Sequence, residues 1–154
     1  MTATNHALTG TAIGLIVGQP LLALPLALLS HFICDAIPHF SFTADESKIT
    51  DIMRSKLFRN YLITEAFLCF LIVLGLTIIQ PLHWPLAVAC AFLAAAPDLL
   101  SSRRYSSIVS KKKWKPGLYS RFAHDIQWFE RPIGGVVEIA WMVGMVSIVL
   151  PFLK

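Results

Sequence analysis

The sequence predicts an all-α fold: a polytopic integral membrane helix bundle of three full spans plus an N-terminal helical hairpin, forming a single membrane domain over residues 1–154. Three observations predict it. The 154 residues are 56% hydrophobic and only 14% charged, against about 25% charged in an ordinary soluble domain. Three segments each offer close to the ~20 apolar residues that a bilayer-crossing helix needs. Lysine and arginine are absent from those segments and gather in the stretches between them. This composition excludes a disordered chain, a coiled coil and almost any water-soluble globule, and the length suits one compact unit.

The N-terminus Met1-Thr2-Ala3-Thr4-Asn5 carries no lysine or arginine ahead of its apolar run, which speaks against a cleaved secretory signal peptide. From Ala7 to Ile37 there is no Lys, Arg or Glu, and apart from Cys34 the ionisable side chains are His31 and Asp35. The stretch is too long for one upright span, and Gly18-Gln19-Pro20 interrupts it. Two readings are open: one tilted span, or a short helix over residues 6–17 folded back on a longer one over 21–37, the second being preferred. A first arm of ~12 residues covers only ~18 Å, so it is re-entrant and needs protein around it. Gly10, Gly14 and Gly18 give that arm a smooth face for close helix contact.

Residues 39–60 are mixed in charge and hold a candidate interfacial helix, with Ile49, Ile52, Met53 and Leu57 set against Arg54 and Arg59. Spans follow at 62–79 and 82–100, a tight pair broken at Gln80-Pro81. Residues 101–121 hold Arg103, Arg104, Lys111, Lys112, Lys113, Lys115 and Arg121 with no acidic residue. By the positive-inside rule this loop faces the cytoplasm, and counting helices puts 39–60 on the same side. The last span, 133–153, follows Pro132, which is tolerated in a first helical turn. Trp114, Trp128 and Trp141 read as interfacial or packing aromatics. Cys34, Cys69 and Cys90 lie in apolar stretches without a CxxC pair, which argues against a disulfide framework or a thiolate zinc site.

This topology gathers the polar residues. His31, Asp35 and His39 stand at the cytoplasmic end of the second arm, Glu65 early in the next span and Asp98 near the end of 82–100. His124 and Asp125 precede the last span, and Glu138 lies two turns into it. A hairpin returns His6 to the same side and leaves His83 alone at the opposite loop. Asp35, Glu65, Asp98 and Glu138 fall in or at the edge of apolar segments, where an acidic residue costs up to ~2.5–3.5 kcal/mol at a helix centre. Together they approach ~10 kcal/mol, comparable to the ~5–15 kcal/mol that holds a typical fold. A bound metal, protonation, or pairing with Arg and Lys must offset that cost.

His31 and Asp35 stand at i and i+4, so both leave one helix face about 6 Å apart along the axis. An imidazole and a carboxylate so placed can reach one cation. Pro38 stops the helix and lets His39 swing back toward the same point. Such mixed ligands suit zinc, and also manganese or iron. The candidate metal ligands are therefore His31, Asp35 and His39 with His6, Asp98 and His124. Asp125 or Glu138 is the candidate general base for metal-activated water, and Arg103, Arg104 or Arg121 the candidate to steady a phosphate. His124-Asp125 is also weighed as a ligand pair.

The stretches Asn5-His6-Ala7-Leu8-Thr9-Gly10 and Ser30-His31-Phe32-Ile33-Cys34-Asp35-Ala36-Ile37-Pro38-His39 resemble small bacterial membrane-bound metal-dependent hydrolases of the inner-membrane type, a group distantly like zinc-dependent phospholipase C. The resemblance covers about the first 40 residues. Its early His-x3-Gly matches His6 and Gly10, its aspartate before a histidine matches Asp35 and His39, and the phospholipase His-x3-Asp matches His31 and Asp35. The later His-Arg and Thr-His-Ser elements have no counterpart, and Trp128 stands where the phospholipase signature would place Glu after His124. The resemblance implies a metal-dependent hydrolase in the bacterial cytoplasmic (inner) membrane, acting on a phospholipid or another amphipathic phosphoester. A non-enzymatic alternative stays open: a small transporter or membrane scaffold whose intramembrane carboxylates bind protons or an ion. Membrane lipids are the expected partners, and a homo-oligomer is one way to seal the polar interior. Nucleic acid is not expected, because the basic run lacks a binding fold.

Overall fold

The computed structural model describes residues 1–113 and 115–154; Trp114 lies outside the described residues. The helices are α1 (Ala3–Val17), α2 (Pro20–Asp35), α3 (Glu46–Arg54), α4 (Lys56–Ile79), α5 (Trp84–Leu100), α6 (Ser102–Val109), α7 (Leu118–Ile126) and α8 (Gly135–Val149). Short 3-10 turns, Pro132–Gly134 and Leu150–Leu153, extend α8 at both ends. Among the described residues there is no β-strand, only an isolated bridge between His39 and Glu130. Among the described residues, three helical stretches are long and apolar enough to cross a membrane: Lys56–Ile79, Trp84–Val109 and Pro132–Leu153.

The helix ends follow local chemistry. Ser55 caps α4, its hydroxyl accepting from the Phe58 amide at 3.1 Å, so α4 starts well before its apolar stretch does. The same residue is extended, at φ −73 and ψ 155, and ends α3. The interfacial helix expected around residues 49–59 is thereby split in two. Asp45 caps α3, and hydrogen bonds from the Ser47 hydroxyl and amide hold its carboxyl below the usual carboxylate range.

The basic stretch 101–121 is more ordered than a connecting loop, since it forms α6 and starts α7. Each of these short helices docks one side. On α6, Tyr105 packs on Phe58 with ring centroids 5.7 Å apart, and the Ile108 carbonyl accepts from Arg54 Nε at 2.9 Å. On α7, Phe122 meets Phe32 at 5.5 Å, and the Tyr119 hydroxyl donates to the Pro97 carbonyl at 3.0 Å. Their abundant cations hid this order from a reading of composition.

At the centre stands α1. Its 15 residues span only about 22 Å, and nearly all of them from Thr4 to Leu15 are buried. It packs against α2, α4 and α8 and most extensively against α5. Small residues make this close approach feasible. A Cβ on Gly10 would strike the Cys90 carbonyl and Ala94, and one on Gly14 would strike the backbone of Ala87. The facing stripe on α5 is Ala87, Cys90, Ala91 and Ala94, all buried. Gly10→Val is expected to lower stability by about 1–3 kcal/mol through overpacking, read as an earlier thermal transition in detergent. Gly75→Val, where a Cβ meets nothing within 4 Å, should leave that transition in place.

Gly18, in the left-handed region at φ 64, ends α1, and after Gln19 the chain enters α2 at Pro20. Helix α2 packs against both α1 and α5. It hides Ala23, Ala27, Ser30, His31, Cys34 and Asp35 and exposes Leu21, Leu22, Leu26, Leu29 and Ile33. Polar groups inside and leucines outside suit a helix whose surroundings are lipid. At the end of the bundle away from His31 and Asp35, His83 lies beside Gly18.

Candidate metal centre

Four side chains meet where the start of α1 passes the ends of α2 and α5. His6 Nε2 lies 3.0 Å from Asp35 Oδ1. His31 Nε2 lies 3.3 Å from Asp35 Oδ2 and 4.0 Å from Asp98 Oδ1. The two imidazoles stack, with centroids 4.2 Å apart. His6, His31, Asp35 and Asp98 each offer one ligand atom, and these atoms all lie within 4.8 Å of one another. His6, His31 and Asp35 are only 0%, 2% and 2% exposed.

The hydrogen bonding fixes what these atoms can do. His31 Nδ1 lies 2.9 Å from the Ala94 carbonyl, and a carbonyl can only accept, so Nδ1 carries a proton. In the neutral ring Nε2 then turns a lone pair toward Asp35 and Asp98. Lone pair facing carboxylate is repulsive unless a cation or a second proton lies between them. Holding one imidazole nitrogen on a carbonyl is how metal-binding histidines are oriented. Gln127 Nε2 donates to Asp35 Oδ2 at 2.8 Å, and the Met1 ammonium pairs with Oδ1. His6 Nδ1 is buried with no hydrogen-bond partner among the described residues. Two imidazoles and two carboxylates, each offering one ligand atom, fit a zinc, manganese or iron ion.

Other expected site residues lie outside this group. His39 is buried, but its Nδ1 donates to the Ile37 carbonyl at 2.8 Å and its Nε2 faces Glu130 at 3.4 Å. Backbone bonds from His39 to Phe129 and Arg131 hold that orientation. The chain does turn at Pro38, but toward residues 129–131 and not toward Asp35. His124 and Asp125 are exposed on α7, and His124 is not among the grouped ligands. Arg103 and Arg121 are exposed, and Arg104 is half-buried on α6.

Glu138 and Glu65 serve another purpose. Glu138 Oε2 accepts from the Thr2 amide at 3.1 Å and Asn5 Nδ2 at 3.3 Å, while its Oε1 accepts from the Phe40 amide at 3.0 Å. Glu65 Oε2 accepts from the amide and hydroxyl of Thr4 at 2.9 and 2.8 Å. Both carboxylates therefore satisfy donors at the start of α1, where unpaired amides and the helix dipole favour negative charge. Of the four costly carboxylates, two are answered by this capping; Asp35 faces two histidines, the Met1 ammonium and Gln127, and Asp98 faces His31.

Gln127, Asn5, Thr2 and Thr4 were not legible as site residues. Thr2 is recognisable as a cap for α1, but its pairing with Glu138 depends on contacts remote in sequence, and Gln127 sits in no motif. Comparison with protein-family models, with curated proteins and with solved structures finds no match to this chain.

Proposed function

We propose that the chain crosses the bacterial cytoplasmic membrane several times, with α1 and α2 forming a hairpin inside three spans. We further propose that it is a metal-dependent hydrolase of a phospholipid or another amphipathic phosphoester at the cytoplasmic face. The observation that carries this is the orientation of His31, held on Ala94 so that Nε2 faces Asp35 and Asp98. His6, His31, Asp35 and Asp98 would hold the ion, zinc before manganese or iron. A divalent cation bound there with one further position left to water would lower that water's pKa toward ~7 and supply hydroxide. The chain's own residues do the rest. Gln127 and Ala94 hold Asp35 and His31 in place. The Asp98 side chain, 37% exposed, is the carboxylate open to the outside and so the one placed to take up a released proton. Arg103, exposed on α6 close in sequence to Asp98, supports recognition of a phosphate at this end of the bundle.

The test is hydrolysis of a panel of lipid phosphoesters by the purified protein in phosphatidylcholine nanodiscs. Turnover should vanish on chelation and return with zinc. Bound zinc without turnover on any member would overturn the hydrolase and leave a structural ion. A second reading, a small transporter or scaffold, is favoured by one fact: a proton on His31 relieves the same repulsion as a cation. In that case the chain carries no bound metal, and chelation changes nothing.

A further inference from the structure

Asp98 has a second surface. Besides facing His31 it lines a cavity of about 620 Å³ between α4 and α5, within the ~300–1,000 Å³ usual for ligand pockets. These two helices touch only sparingly, and Ala66, Ala91, Ala95 and Ala96 keep the space between them open. Cys69, Phe70, Val73 and Phe92 line it without a charge. From Phe58 to Val73 the wall follows about 22 Å of α4, at ~1.5 Å per residue, so the cavity runs along the helices. Its polar lining comes from Glu65, Asp98, Ser101, Ser102 and Tyr105.

Ser102 and Tyr105 also line a second pocket, of opposite chemistry. That pocket measures about 690 Å³ and is walled by Arg103, Ser106, Ser107, Ser110 and Lys112, with no acidic side chain among the described residues that line it. The apolar slot and a cluster of cations and hydroxyls thus share two wall residues, Ser102 and Tyr105. Asp98 lines the first of the two pockets, one helical turn before Ser102 in sequence.

We propose that the two pockets together bind one membrane-derived amphiphile with a phosphate head. Its hydrocarbon chain lies between α4 and α5, its head sits among Arg103, Lys112 and the α6 serines, and the linkage between them passes Asp98. The ligand is the substrate class of the hydrolase proposed above, although binding itself asks nothing of the metal. Hydrophobic burial holds the chain, and charge-assisted hydrogen bonds select the head.

Hexadecyl phosphate carrying a diazirine at the chain end provides the probe, added to the full-length protein in phosphatidylcholine nanodiscs. After irradiation, adducts mapped by mass spectrometry should fall on the half-buried Cys69 and Val73 about tenfold more than on the exposed Ile63 and Ile78. Ala66→Trp, which fills the slot from an exposed position, should remove most of these adducts. Arg103→Ala with Lys112→Ala should reduce them for the phosphate and leave labelling by hexadecanol bearing the same diazirine unchanged. Even labelling of slot and outer surface, or adducts that survive Ala66→Trp, would mean bulk lipid only and overturn the proposal. Equal labelling by phosphate and alcohol in the parent protein would overturn the head-group assignment. Each arm is repeated on chelated protein. Labelling that persists there while no cation copurifies sinks the hydrolase but leaves the amphiphile site standing.

Discussion

Replacing His31 and Asp35 together by alanine should reduce the copurifying divalent cation from about one per chain to near zero, because half of a four-ligand set is removed. Elemental analysis of detergent-purified protein, beside the parent, gives the reading. Gln127→Ala provides the graded version: it keeps every ligand atom but frees Asp35 Oδ2 from its 2.8 Å tether. Loss of such an orienting partner typically weakens metal binding about 10–100-fold, visible as a shifted zinc titration at unchanged stoichiometry. His39→Ala serves as the control. Its ring is committed to Ile37 and Glu130, so the cation should stay bound. Loss of the cation in His39→Ala, or its retention in the double variant, would show that the ion sits elsewhere.

Glu138→Ala should be among the most destabilising single changes in the chain. It strands the part-buried amides of Thr2 and Phe40 and leaves Asn5 Nδ2 only the Glu138 backbone carbonyl as acceptor, and a buried donor left without a partner costs about 1–3 kcal/mol. A loss of several kcal/mol is expected, seen as a much earlier thermal transition in detergent. Glu138→Gln should fall between, because one acceptor oxygen survives while the new amide group opposes donors. The folded fraction of either variant should still carry its cation. A general base would behave otherwise: turnover would collapse and the thermal transition would barely move.

These outcomes separate what composition reveals from what only folding reveals. The three long apolar helices were legible because about twenty largely apolar residues without lysine or arginine have few other uses in a chain this size. The Gly10 and Gly14 face was legible for a similar reason, since small residues four apart invite a close neighbour. The ends of α3 and α4 were not, because one serine at an extended backbone position decides them. Helices α6 and α7 were masked by a basic composition that reads equally well as a topology signal.

The site divides in the same way. His31 and Asp35 share a face by helical spacing alone, and topology carries His6 and Asp98 to them. Whether His39 joins depends on the hydrogen bonds its backbone makes with residues 129–131, which no periodicity encodes. Glu65 and Glu138 look like ligand candidates until the amides at the start of α1 are found against them. A carboxylate in an apolar segment announces that something satisfies it, without saying what.

The burial of α1 among its neighbours sets an order on biogenesis. The groove that admits Gly10 and Gly14 is built largely from α5, which the ribosome makes long after α1 has emerged. Until α5 has been made, α1 lacks the surface on which it settles. His6, His31, Asp35 and Asp98 can therefore come together only once the chain has been made through α5.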